Sequence, residues 1–237
     1  MLRNRLSLAL AFVLVCAWPT LAETLPLPSD IIAFDSPEGE ALLIEAEARD
    51  DFFRLSQHFV TQVHPAYCGP ASIAMVLNAL EVPRPASDMT IGLGMFDQEN
   101  IFTPAAQSVK PSEAVKKAGI TLDELGGLLG AHDLKVTVTH AANTNADAFR
   151  TAAVAALKDN DHFILVNYLR KAIGQEAGGH ISPLAAYDAD TDRFLILDVS
   201  RYKYPPVWVA AKTLFAAMNT TDSDNADQTR GFVLVSK

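Results

Sequence analysis

Ile73, Val76, Leu77 and Leu80 recur at the i, i+3, i+4, i+7 spacing of one helical face, which predicts an amphipathic helix over residues 69–80. Pro70 suits the first turn of that helix, where a missing N–H costs nothing. Residues 82–85, with two prolines, end it. Upstream, residues 41–53 carry Leu42, Leu43, Ala46 and Phe53 among acidic positions and read as one helix after an extended, proline-containing lead-in. Downstream, residues 112–118 and 121–132 read as two short helices parted by Gly119, with a capping box in Thr121 and Glu124. Residues 135–139 alternate like a strand. Residues 147–158 form an alanine-rich helix with Phe149, Ala153, Ala156 and Leu157 on one side. The pattern then changes. Residues 163–169, 194–199 and 232–235 are short apolar runs with turn signals between them, among them a hairpin turn at 188–192 and a polar loop at 222–228. Helices first and antiparallel sheet second predict an α+β fold, with a cleft between a helical part and a sheet part.

At 237 residues, 49% hydrophobic and 20% charged, the chain has the composition of a folded domain with a substantial core. The N-terminus is set apart. Arg3 and Arg5 precede an apolar run over residues 6–15, and Thr20-Leu21-Ala22 offers a small-residue cleavage site, so residues 1–22 read as a secretory signal and residues 23–237 as one catalytic domain. Export, to a periplasm or beyond, is the expectation, with no membrane contact after cleavage. The formal net charge is −9, and cleavage would remove two arginines more. An acidic chain without a Lys/Arg cluster argues against nucleic acid as a partner. The oligomeric state is left open, a homodimer included.

Of the two cysteines, Cys16 falls in the signal and leaves Cys68 as the single mature thiol. A lone cysteine in an exported chain is a reactive group or a liability. Cys68 opens the predicted helix, where unpaired N–H groups favour a thiolate. Gln62, six residues earlier, can aim an amide at an oxyanion. His180 follows Gly178-Gly179, which leaves room for a ligand beside an imidazole able to take the thiol proton. Asp198 ends an apolar run with no other use for a carboxylate, and the imidazole N–H supplies the partner a buried acid needs. The order is that of a papain-type acyl-transfer site: oxyanion donor, nucleophile, base, orienting acid. His58, His64, His132, His140 and His162 have no metal-ligand spacing with cysteine, so no metal centre is expected.

The chain resembles phytochelatin synthase in its short bacterial form. The resemblance rests on residues 62–72 (QVHPAYCGPAS) continuing through 76–80, on 163–175 (FILVNYLRKAIGQ), on 179–183 (GHISP), on 195–208 (LILDVSRYKYPPVW) and on Arg230-Gly231-Phe232. It implies a papain-like fold, a Cys68/His180/Asp198 triad, Gln62 at the oxyanion hole, and glutathione as substrate. Cys68 would release glycine and hold a γ-glutamylcysteinyl thioester, which goes to water or, slowly, to a second glutathione. The family pattern also sets Arg230, Gly179 and an acid, Asp222 with Asp224 as the alternative, at the γ-glutamyl end. No tightly bound cofactor is implied. Cd²⁺ or Zn²⁺ would enter as a glutathione thiolate complex, since the cysteine-rich extension of the plant members has no counterpart here. The competing readings are a papain-type peptidase acting on other small peptides and a metal- or thiol-binding protein without turnover. One thiol is too few for a soft-metal site.

Overall fold

The helix that begins at Cys68 sets the architecture. In a computed structural model describing residues 24–85, 94–176 and 178–237, it runs Cys68–Ala79, and every residue after Cys68 is buried. It is the third helix (α3), after α1 (Pro37–Glu45) and α2 (Asp50–Ser56), and is followed by α4 (Pro104–Val109), α5 (Ser112–Ala118), α6 (Leu122–Gly130), α7 (Ala146–Leu157) and α8 (Ala211–Met218). The strands are β1 (Ile32–Ala33), β2 (Lys135–His140), β3 (His162–Leu169), β4 (Gly179–Asp188), β5 (Arg193–Ile196), β6 (Val207–Ala210) and β7 (Gly231–Ser236). They form one sheet in the order β1-β6-β5-β4-β3-β7-β2, antiparallel at every pairing. The fold class is α+β, as the sequence predicts. The expected signal at residues 1–22, with Cys16, lies outside the described residues. No helix among the described residues is long and apolar enough to cross a membrane.

Both faces of the sheet are covered. On one side Phe163 and Leu165 of β3 join the core of α3, α4 and α6. On the other, Ile164, Val166 and Tyr168 pack with Phe149 of α7 and Leu214 of α8. A strand buried on both faces reads as a near-continuous apolar run, and β3 does, broken after its first residue only by Asn167. Helices first and sheet second is therefore only half the arrangement. The α7 and α8 helices form a second helical layer; α4, β4 and β6 give no clear periodic signal, while α8 buries Ala211, Leu214, Ala217 and Met218 at helical spacing that the sequence reading passed over.

Three local departures have physical causes. The helix expected over 41–53 is two helices. Ala48 leaves the helical path to bridge Tyr187 of β4. Arg49 then turns its guanidinium onto the Leu43 and Ile44 carbonyls that α1 leaves free. The α3 helix is buried all round rather than amphipathic, because its polar residues bond inward. Ser72 donates to the Cys68 and Ile181 carbonyls, and Asn78 exchanges bonds with the Phe96 backbone. The strand expected over 194–199 stops at Ile196, so Asp198 stands beyond the strand end. The capping box at Thr121 and Glu124 is as expected, and Gly119, the expected break between the two helices, has a positive φ that favours glycine.

In α2, Asp51 is fully buried, and neither carboxylate oxygen has a hydrogen-bond partner among the described residues. Burial pushes its carboxyl up to about 9, against the pull of Arg54 and with help from Asp50 and Asp159. An unfolded aspartate titrates near pH ~4. The folded chain therefore holds a proton at Asp51 that the unfolded chain releases, and stability falls as pH rises from about 4 towards about 9. Asp51→Asn, with no proton to lose, should show a thermal midpoint that declines less steeply than wild type between these limits. Parallel declines would mean that the Asp51 carboxyl is charged in the folded protein.

Candidate active site

The central strands β7, β3 and β4 and the start of α3 converge at one end of the sheet. Cys68 opens α3 on one side. His180, the second residue of β4, pairs in register with Tyr168 of β3, and its ring meets the Tyr168 ring edge-on at 5.7 Å between centroids. His180 Nε2 lies 2.8 Å from Asp198 Oδ1 and 3.0 Å from Ser182 Oγ. That nitrogen carries the proton and donates it to the carboxylate, which leaves Nδ1 for the thiol.

Each shift in the triad is a contest between burial and neighbours. Burial alone would raise the Cys68 thiol, but a hydrogen bond from His180, its charge, and the Ile181 and Gly69 N–H groups bring it below its ordinary value. Burial works against a charged His180, yet the Asp198 carboxylate, opposed by Arg170, raises it with help from hydrogen bonds to Asp198 and Cys68. Asp198 is wholly buried. Desolvation would raise its carboxyl, and His180 followed by Arg170 hold it well below the usual carboxylate range. All three shifts favour the thiolate–imidazolium pair over the neutral one.

Arg170 is a part of this site that the sequence reading missed. It is 3% exposed and forks onto Asp198, Nη2 to Oδ1 at 2.8 Å and Nη1 to Oδ2 at 2.7 Å. Gln175 accepts from the same guanidinium, and the Tyr204 ring lies 5.2 Å beneath it. The Ser200 N–H adds a 2.8 Å bond to Asp198 Oδ1. In sequence Arg170 stands beside Lys171 after an apolar strand and looks like a solvated cation. Only the fold shows where it points.

Gln62 is buried close by, its N–H bonded to the Val199 carbonyl. Its Nε2 donates to the His64 and Pro65 carbonyls at 2.9 Å and lies 3.0 Å from the Tyr202 hydroxyl. In these contacts the side chain braces the loop that delivers Cys68. Its Oε1 is buried without a partner among the described residues.

Cys68 and His180 open on a cavity of about 300 Å³, whose walls also include Asn167, Gly179, Asp224 and Arg230. Arg230 is 2% exposed, and its Nη2 takes both oxygens of Asp222 at 2.8 and 2.7 Å. Its Nη1 donates to Asn167 Oδ1 at 2.8 Å. A Cβ at Gly179 would collide with this guanidinium, so glycine there makes room for the arginine. Asp222 is thus the acid tied to Arg230, while Asp224 faces the cavity. Asn225, next in the chain after Asp224 and absent from the sequence reading, is buried. Its Oδ1 accepts from the Leu122 N–H at 2.8 Å, and its Nδ2 donates to the Gln228 and Thr229 carbonyls. It fastens the loop that carries both acids. A larger cavity of about 780 Å³, between Val82, Phe96, His132 and Lys237, holds none of this chemistry.

The family model described as phytochelatin synthase matches residues 22–232. The chain belongs to the phytochelatin synthase family. Relatives in this family include glutathione gamma-glutamylcysteinyltransferase 3 of Lotus japonicus, 35% identical over 216 residues, and glutathione gamma-glutamylcysteinyltransferase 1 of Arabidopsis thaliana, 36% identical over 217. Each alignment covers 90% of this chain and 43% of the relative. The glutathione gamma-glutamylcysteinyltransferase of Schizosaccharomyces pombe is 31% identical over 212 residues, covering 88% of this chain and 50% of the relative. The chain thus spans half or less of the length of these phytochelatin synthase relatives.

Proposed function

We propose that this protein transfers the γ-glutamylcysteinyl group of glutathione through a thioester on Cys68. The observation that carries this reading is one cavity, in a member of this family, whose wall holds both a hydrogen-bonded thiol–imidazole pair and the buried guanidinium of Arg230, which is paired with Asp222. The reading includes a papain-like arrangement, with the nucleophile at a helix start and its base and acid on an antiparallel sheet. The γ-glutamyl head carries an ammonium and a carboxylate on one carbon, and an acid–base pair beside the thiol suits it.

In the reaction, the Cys68 thiolate attacks the cysteinyl carbonyl. The oxyanion lies over the start of α3, where the Cys68 N–H is free to donate. Gln62 becomes a second donor when one of the two Nε2 protons held by the His64 and Pro65 carbonyls turns to the substrate oxygen. As the amide C–N bond breaks, His180 gives its proton to the glycine nitrogen, and Asp198 keeps the ring in place. Water attacking the thioester yields γ-glutamylcysteine, and the amine of a second glutathione yields a phytochelatin. Cd²⁺ or Zn²⁺ enters on the substrate, as a glutathione thiolate complex. With residues 1–22 read as a signal, the chemistry takes place outside the cytoplasm.

Acid quenching during the first turnovers with glutathione, followed by intact mass measurement, should reveal a protein heavier by one γ-glutamylcysteinyl group. One glycine should be released per acylated chain. Glutathione that acylates nothing would sink the proposal, and acylation by other small peptides instead would favour a general peptidase.

A further inference from the structure

Glutathione brings two carboxylates and one ammonium to the site. In the reading above, Arg230 with Asp222 takes the γ-glutamyl carboxylate and ammonium. The carboxylate of the glycine has no assigned partner. We propose that Lys117 holds it, and that the same lysine holds the carboxylate of the amine that later attacks the thioester. This inference rests on the glutathione reading.

Lys117 lies in the last turn of α5 and lines the cavity with Cys68 and His180. Its neighbour Lys116 is bound to Glu113 at 2.8 Å, whereas Lys117 has no hydrogen bond or ion pair among the described residues. Arg230, the other arginine or lysine of the cavity wall, is committed in this reading to the γ-glutamyl head, where Asp222 and Asn167 hold it in place. The positions differ as well. Arg230 stands on the sheet side, at the start of β7 beside β3. Lys117 stands on the nucleophile side. The positive-φ turn at Gly119 brings Ile120 against Gly69, filling the space a Cβ there would need, so that residues 117–120 run along the wall next to Cys68. A substrate with its γ-glutamyl head at Arg230 and its cysteinyl carbonyl on Cys68 therefore extends its glycine towards Lys117.

The chemistry of the two half-reactions makes one cation sufficient for both. In the first, the bond from Cys68 Sγ to the carbonyl carbon forms and the amide C–N bond breaks. The proton on His180 goes to the glycine nitrogen. In the second, the neutral amine of an accepting glutathione forms a C–N bond, the C–S bond breaks, the amine proton passes to His180 and the thiolate is restored. Departing glycine and the incoming γ-glutamyl residue are both α-amino acids, each with its carboxylate on the carbon next to the reacting nitrogen. The group that leaves and the group that enters present the same ion at the same place. Water has no carboxylate, so Lys117 favours transfer over hydrolysis.

The test compares glutathione with glutathione amidated at its glycine carboxylate, for wild type, Lys117→Gln and Lys117→Arg. An exposed ion pair is modest, so wild type should prefer the acid by roughly two- to fivefold in kcat/KM. Lys117→Gln should lose that preference and also lower the ratio of phytochelatin to γ-glutamylcysteine, and Lys117→Arg should retain both. Wild type that ignores the amidation, or Lys117→Gln that discriminates as wild type does, would overturn the assignment while leaving the glutathione reading intact. Wild type that releases neither glycine from glutathione nor glycinamide from the amidated compound would overturn the glutathione reading itself.

Discussion

Replacing Cys68 with alanine should end glycine release from glutathione, with a loss on the order of 10³-fold or more. The size follows from how the site is built. Cys68 is the free thiol among the described residues, and the shifts of its neighbours are arranged around it. His180 is raised partly through its bond to Cys68, and the thiol is lowered by the same bond. Without the sulfur, His180 has a proton but no nucleophile to give it up for. The fold should not suffer. The Cys68 carbonyl, which accepts from Ser72, is kept in Cys68→Ala, and α3 is anchored by the eleven buried residues after it. A matched thermal midpoint together with lost acylation assigns the nucleophile. Near wild-type glycine release from folded Cys68→Ala would remove Cys68 from the chemistry, and with it the role assigned to His180.

What the sequence disclosed about this site depended on what each residue does locally. Cys68 was legible because the spacing of Ile73, Val76, Leu77 and Leu80 announces a helix and Pro70 marks its first turn. His180 and Asp198 were legible through contradiction. Glycines beside an imidazole and a carboxylate closing an apolar run make poor sense unless something else fills the space or pairs the charge. Arg230 and Asp222 entered through the family resemblance, and the fold supplies their mutual bond. Arg170 and Asn225 gave no such signal. An arginine after a strand and an asparagine in a polar loop are what a solvated surface looks like, and their burial depends on elements far away in the chain. The β4 strand was hidden for a related reason. Its ends are polar or glycine and its middle is buried on both faces, so neither alternation nor a long apolar run stands out. The merger of α1 with α2 arose because the break lies in tertiary contacts of Ala48 and Arg49 rather than in a proline or glycine.

Asp198→Asn should cost this protein stability before it costs orientation of the imidazole. An amide can still accept from His180 Nε2, so a site that needed only a ring-holder would tolerate the change. Asp198 does more. Its Oδ1 also accepts from Arg170 Nη2 at 2.8 Å and from the Ser200 N–H, and its Oδ2 lies 2.7 Å from Nη1 in the ion pair. Both ionised partners are buried, at 3% and 0% exposure. Asparagine removes the charge that balances the guanidinium and turns an NH₂ group towards one of its donors. Breaking a buried pair from one side costs about 3–5 kcal/mol. In a chain of this size that corresponds to a fall of roughly 6–20 °C in thermal midpoint. His180→Ala leaves the Arg170–Asp198 pair in place and should lose activity with a smaller fall. The two roles of Asp198 separate in Asp198→Asn combined with Arg170→Met. Removing the stranded cation should recover much of the midpoint, because a buried pair exchanged for uncharged groups is often neutral in stability. Activity should not return, because the imidazolium still lacks its counter-charge and the thiolate its stabilised partner. An unchanged midpoint in the Asp198→Asn single variant would show that Gln175 and Tyr204 suffice for Arg170, leaving Asp198 as an orienting group alone.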